Sequence, residues 1–110
     1  MERLVEGGDG AQMTFNIAAG EHGTTLVTIA GELDIANIEP LESAVAPIIE
    51  AKPERLVIDV SRLRFADSSA IALWVRWAAC VGEIELREPS PLLRRVITSM
   101  GLGAKLRVTQ

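Results

Sequence analysis

Leu56–Val60, Leu-Val-Ile-Asp-Val, is a short, mostly β-branched apolar run, the pattern of a strand buried on both faces. It constrains the fold more than any other stretch, because a helix start lies a few residues beyond it. Ser61–Phe65 is predicted to carry the chain off the strand end. Asp67-Ser68-Ser69 is then a helix-start signal, since a short side-chain oxygen can accept a bond from an orphan amide of the first turn. Ala70–Cys80 continues as an apolar helical stretch interrupted by one charge, Arg76. Open α/β sheets place functional groups where a strand end meets a helix start. With Asp67 as the cap, Ser68 is the first helical residue, and its hydroxyl sits at the positive end of the helix dipole.

The rest of the chain repeats this alternation. Residues 1–12 are polar and glycine-rich and are expected to form a flexible arm, with the folded domain spanning 13–110. Met13–Ala18 and Thr24–Ala30 read as strands joined by the turn Gly20–Gly23. Gly31–Ala36 is a loop holding Asp34, and Asn37 reads as an N-cap with Pro40 tolerated in the first turn. Leu41, Ala44, Val45, Ile48 and Ile49 then mark one apolar helical face, which Pro47 should kink or loosen. Glu83–Glu88 alternates charged and apolar residues, a half-exposed strand near a sheet edge. Ser90-Pro91 opens a last helix with Leu92, Leu93, Val96, Ile97 and Met100 on its apolar face, closed by Gly101. Leu106–Val108 adds a short final strand. The expected fold is a small single-domain α/β protein, with a mixed, largely parallel sheet of four or five strands and three main helices.

Composition narrows the function. A net charge of −4 opposes a nucleic-acid role, for which a basic face is expected. No apolar run reaches the roughly 18 residues needed to span a bilayer, and the N-terminus carries no signal-peptide core. One Cys and one His leave no internal disulfide, no metal cluster and no triad, so neither metal nor cofactor is expected. Gly-x-Ser-x-Gly and the P-loop pattern are both absent, so the chain reads as a non-enzyme. These features together suit a cytoplasmic protein.

Several residues remain as candidates. Ser69 lies one residue further into the helix than Ser68 and points about 100° away. Asp34 and Asp59 end or follow successive predicted strands, so both are expected to border Ser68. On a helical wheel Ile71, Trp74, Val75 and Ala78 cluster opposite Arg76, which makes Trp74 core and puts Trp77 at the boundary, a candidate partner contact. Cys80 reads as a buried small apolar residue, and Arg94 and Arg95 as a solvated helix face.

Gly31–Asp34 (GELD), Leu56–Ala70 (LVIDVSRLRFADSSA) and the later Pro91 with Ser99-Met100-Gly101-Leu102 together resemble the STAS domain. The likeness runs from about Thr24 to Val108 and points to the bacterial anti-sigma-factor antagonists within that family. It implies that Ser68 is phosphorylated by an anti-sigma factor that is also a serine kinase. Dephosphorylated, such a domain binds the anti-sigma factor and a sigma factor is released; phosphorylated, it lets go. The resemblance also implies that Asp34 lies near the phosphorylated Ser, whose chain neighbours are Asp67 and Ser69. Two positions depart from the family pattern. Ala70 stands where Gly is usual, adding a methyl group at the expected docking surface. Asn37 stands where Thr is frequent, and both can cap. The alternatives are a non-switching STAS adaptor in a transport or stress-signalling complex, and a receiver-like domain phosphorylated on Asp59.

Overall fold

The computed structural model describes residues 2–8 and 12–109, with side chains described from Gln12 onward. Among these, the order is β1 (Glu2–Gly8), β2 (Met13–Ala19), β3 (Thr24–Leu33), α1 (Ile38–Glu50), β4 (Arg55–Ala66), α2 (Ser68–Ala78), β5 (Ile84–Arg87), α3 (Pro91–Ser99) and β6 (Arg107–Thr109). The strands lie side by side in chain order in one sheet. The β1–β2 and β2–β3 pairs are antiparallel, and β3–β4, β4–β5 and β5–β6 are parallel, each parallel pair spanned by one helix. The fold class is therefore the expected mixed α/β one, with one strand more than expected.

Period-two burial decides which face of the sheet is inside. Met13, Phe15 and Ile17 of β2, Val27 and Ile29 of β3, Leu56, Ile58 and Val60 of β4, and Ile84 and Leu86 of β5 are buried. They form one cluster with Leu41 and Val45 of α1, Leu73 and Trp74 of α2, and Leu93 and Ile97 of α3. The helices therefore cover this face. The opposite face carries a cross-strand row in register, Asn16–Thr28–Asp59–Arg87–Thr109.

Local chemistry fixes the connections. The β2–β3 hairpin closes through the Gly20 amide donating to the Thr24 carbonyl at 2.8 Å, with His22 and Gly23 both at positive φ, as tight hairpin turns require. At Gly31, φ is +96° and an added Cβ would collide with the Gln12 carbonyl oxygen, so only glycine fits. The Ser90 hydroxyl caps α3 by accepting the Leu93 amide at 3.1 Å. Gly101 ends that helix at φ 71°, with the Leu102 amide bonding Ile97 and the Gly101 amide bonding Thr98, a Schellman motif.

Four expectations change at this level. Residues 2–8, expected within a flexible arm, form β1; Met1 and Asp9–Ala11 lie outside the described residues. Strand pairing uses the backbone, so β1 needs no apolar alternation, and its Gly7 lies directly against the ring of the buried Phe15. Ser61–Phe65 is strand rather than loop, because pairing with β3 continues through two register shifts to Leu33↔Ala66. β5 lies one strand in from the sheet edge, as expected, but it is not half-exposed: Glu85 is only 4% exposed. Its carboxylate is met by Arg55, by Arg87 at 3.3 Å and by the Thr109 hydroxyl at 2.9 Å, which makes burial of the charge tolerable. Finally, Asn37 occupies the N-cap position of α1 without capping it. Its amide group instead staples the preceding loop, accepting from the Asp34 amide at 3.0 Å and donating to the Glu32 carbonyl at 2.8 Å.

Candidate functional site

Because β3 and β4 are parallel and end in register, the loops that leave them emerge together. Asp67 ties those loops. Its amide donates to the Leu33 carbonyl at 3.2 Å, extending the ladder by one bond. Its Oδ1 accepts the Ser69 amide at 3.0 Å and the Ala70 amide at 3.2 Å, capping α2. Its Oδ2 accepts the Ile35 amide at 3.1 Å from the neighbouring loop. One carboxylate thus holds the helix start and the Asp34 loop against each other.

Ser68 is the first residue of α2 and is exposed, while Ser69 is half-buried. Asp34 is half-buried, and its Oδ1 accepts the Ala36 amide at 2.9 Å within its own loop. The structure therefore brings together the elements bearing Asp34, Asp67, Ser68 and Ser69. Ser68 directly follows a residue whose carboxylate already accepts three backbone amides.

Three other candidates are placed elsewhere. Ala70 is fully buried, so its methyl group fills core space and adds nothing to the surface. Trp77 is 5% exposed and belongs to the core cluster with Trp74, which removes it as a partner contact. Three residues apart on a helix is only about 60° round from Trp74, and α1 packs beside α2, linked by Arg76 to Glu42 at 3.4 Å. Asp59 lies inside β4 on the opposite sheet face, accepting from the Ser61 amide at 2.9 Å and hydroxyl at 2.7 Å. It does not border Ser68, and a receiver-like phosphoryl acceptor at the strand end is not formed. Among the described residues no group of three or more His, Cys, Asp or Glu is arranged to hold a metal. Cys80, expected to be buried, is exposed, because α2 ends at Ala78.

The apolar rim is not visible from sequence periodicity. Among the described residues the large exposed hydrophobics are Ile35, Phe65, Leu92 and Met100. Ile35 is tied to Asp67, and Phe65 lies three residues before Ser68. Leu92 and Met100 are expected on the buried face of α3, but that face narrows to Leu93 and Ile97, with Val96 half-buried. Ile35 carries a usable signal: an apolar residue in a loop, outside any strand or helix period, has no core to enter.

A sheet covered by helices on one face, with Ser68 exposed at the Asp67-capped start of α2, defines a small α/β domain. The chain belongs to the STAS domain family: the family model described as "Mlab, STAS domain" matches residues 17–108. The chain is 27% identical over 93 residues to the anti-sigma-F factor antagonist RsfB of Mycobacterium tuberculosis, covering 82% of this chain and 76% of RsfB. An anti-sigma factor antagonist from Mycobacterium paratuberculosis shares the fold, with a TM-score of 0.78 at 24% identity, over 91% of this chain and 87% of the other. The Bacillus cell fate determinant SpoIIAA in its phosphorylated form matches with a TM-score of 0.71 at 25% identity, over 87% of this chain and 91% of SpoIIAA. Unphosphorylated SpoIIAA matches with 0.72 at 26%, over 87% and 88%. The backbone of this chain thus resembles both forms equally. Among the described residues no helix is long and apolar enough to cross a membrane.

Proposed function

We propose that this chain is an anti-sigma-factor antagonist of the bacterial cytoplasm. Unmodified, it binds an anti-sigma factor and a sigma factor is set free; phosphorylated on Ser68 by that same anti-sigma factor acting as a serine kinase, it releases its partner. The chain is the kinase's substrate and performs no catalysis itself. The observation that carries this reading is the exposure of Ser68 at the Asp67-capped start of α2, beside the Asp34 loop, in a chain whose relatives bear the antagonist name. Ser69 is the poorer acceptor, because it is half-buried and turned about 100° round the helix. The likeness to both forms of SpoIIAA supports a switch that acts by charge at the docking surface, without refolding of the domain. Phosphopeptide mapping after incubation with the cognate anti-sigma factor and ATP tests the site. Modification confined to Ser68 is the expected result, and modification confined to Ser69, or none, overturns it.

A further inference from the structure

We propose that Asn37 is a positioning residue: its buried amide group holds the Asp34–Ala36 loop in one shape, and the anti-sigma factor reads that shape through the exposed Ile35. The identity of the partner rests on the reading of the chain as an anti-sigma-factor antagonist; the hold on the loop does not.

Asn is a favoured helix cap, and Asn37 stands at the N-cap position of α1, yet it makes no side-chain cap bond. It is 1% exposed, and both ends of its amide group go to the main chain of the loop before it. Its Oδ1 accepts the Asp34 amide at 3.0 Å, and its Nδ2 donates to the Glu32 carbonyl at 2.8 Å. A Thr hydroxyl places one polar atom where the Asn side chain places two, on a shorter stem, and so loses at least one of these bonds. The start of α1 tolerates that exchange, since Thr also caps; the loop does not.

The rest of the loop is bonded with the same completeness. Four consecutive amides have acceptors: Asp34 on Asn37 Oδ1, Ile35 on Asp67 Oδ2 at 3.1 Å, Ala36 on Asp34 Oδ1 at 2.9 Å, and Asn37 on the Asp34 carbonyl at 3.1 Å. Water satisfies the amides of an exposed loop just as well, so these bonds select a conformation. What that conformation displays is Ile35, 75% exposed and the most exposed large hydrophobic among the described residues. Isolated exposed apolar side chains are common. Ile35 differs because its exposure is built in: no amide of its loop is free to let it fold back. The loop leaves the carboxyl end of β3, the end at which open α/β sheets bind their ligands. A loop fixed before contact loses less conformational freedom on docking.

A double-mutant cycle separates positioning from maintenance of the fold. The anti-sigma factor that co-purifies with the wild-type chain is itself purified and titrated calorimetrically against wild type, Asn37→Thr, Ile35→Ser and the double variant, all below their melting ranges. Amide hydrogen exchange is followed in the free proteins. Asn37→Thr should speed exchange at Asp34 about tenfold or more, while amides inside α1 and β3 exchange as in wild type. Ile35→Ser should weaken binding about tenfold, and Asn37→Thr about fivefold. The double variant should bind as Ile35→Ser does, because a residue that acts through Ile35 then has nothing left to position. Additive losses in the cycle make Asn37 a fold residue alone and overturn the proposal, as does unchanged exchange at Asp34 in Asn37→Thr. Wild-type affinity of Ile35→Ser overturns it too, and leaves the antagonist reading standing. Failure of the wild-type chain to bind any anti-sigma factor overturns the antagonist reading and the docking claim together, whatever the exchange shows.

Discussion

The Asp67 carboxylate accepts the Ile35 backbone amide at 3.1 Å while its other oxygen caps α2, so the loops after two parallel strands share one anion. The cap and the inter-loop bond are separable. Asp67→Ser retains a capping oxygen and loses the reach to Ile35; Asp67→Ala loses both. Asp67→Ala should cost about 1–2 kcal/mol, near the upper range for a cap, and Asp67→Ser less. Urea denaturation measures the two costs. Hydrogen exchange at the Ile35 amide should accelerate in both variants.

Trp74 and Trp77 should behave alike. Each is buried in the same cluster, so Trp74→Ala and Trp77→Ala should each destabilise by about 3–5 kcal/mol in chemical denaturation. A Trp77→Ala variant as stable as wild type would place that ring on the surface.

Ala70 faces the core, so restoring glycine there should affect the helix and leave docking alone. Ala70→Gly should lower stability by about 1 kcal/mol, the usual cost of glycine within a helix, plus a little for the lost methyl contacts. Partner affinity, measured at a temperature where both proteins are folded, should stay within about twofold of wild type.

Glu85 and Glu83 test what burial does to an ion pair. Glu85 is nearly inaccessible and joins Arg55, Arg87 and Thr109, whereas Glu83 pairs with Arg55 at 3.1 Å near the surface. Glu83→Gln should cost less than about 1 kcal/mol. Glu85→Gln should cost about 1–3 kcal/mol, because arginines lose their shared acceptor. Paired thermal melts give the comparison.

The range of the forces involved separates the features legible in the sequence from those that are hidden there. The cap at Asp67, the Ser90-Pro91 start and the Gly101 stop are set within four residues, and all are legible in the chain. The position of Asp59 is not, because β4 is lengthened by pairing with β3, a partner outside the local window. Trp77 looks like a boundary residue on its own helix, and only the fold brings α1 beside it. Glu85 looks exposed because alternation reports polarity, and only the sheet shows that Arg55, Arg87 and Thr109 converge on it. The site itself is half legible: Ser68 and Asp67 stand in one motif, while the bond that ties the Ile35 loop to Asp67 is purely tertiary.

The central claim is that charge on Ser68 governs partner binding. Isothermal titration of the cognate anti-sigma factor with wild type, Ser68→Ala and Ser68→Asp, each with its fold verified by circular dichroism, tests it most directly. Ser68→Ala should bind nearly as wild type, since it removes a small polar group and adds no charge. A buried unpaired charge costs several kcal/mol, and each 1.4 kcal/mol is tenfold in affinity. Ser68→Asp should therefore bind about a hundredfold more weakly or worse. Equal affinities for all three proteins would contradict the account and make this domain a constitutive adaptor.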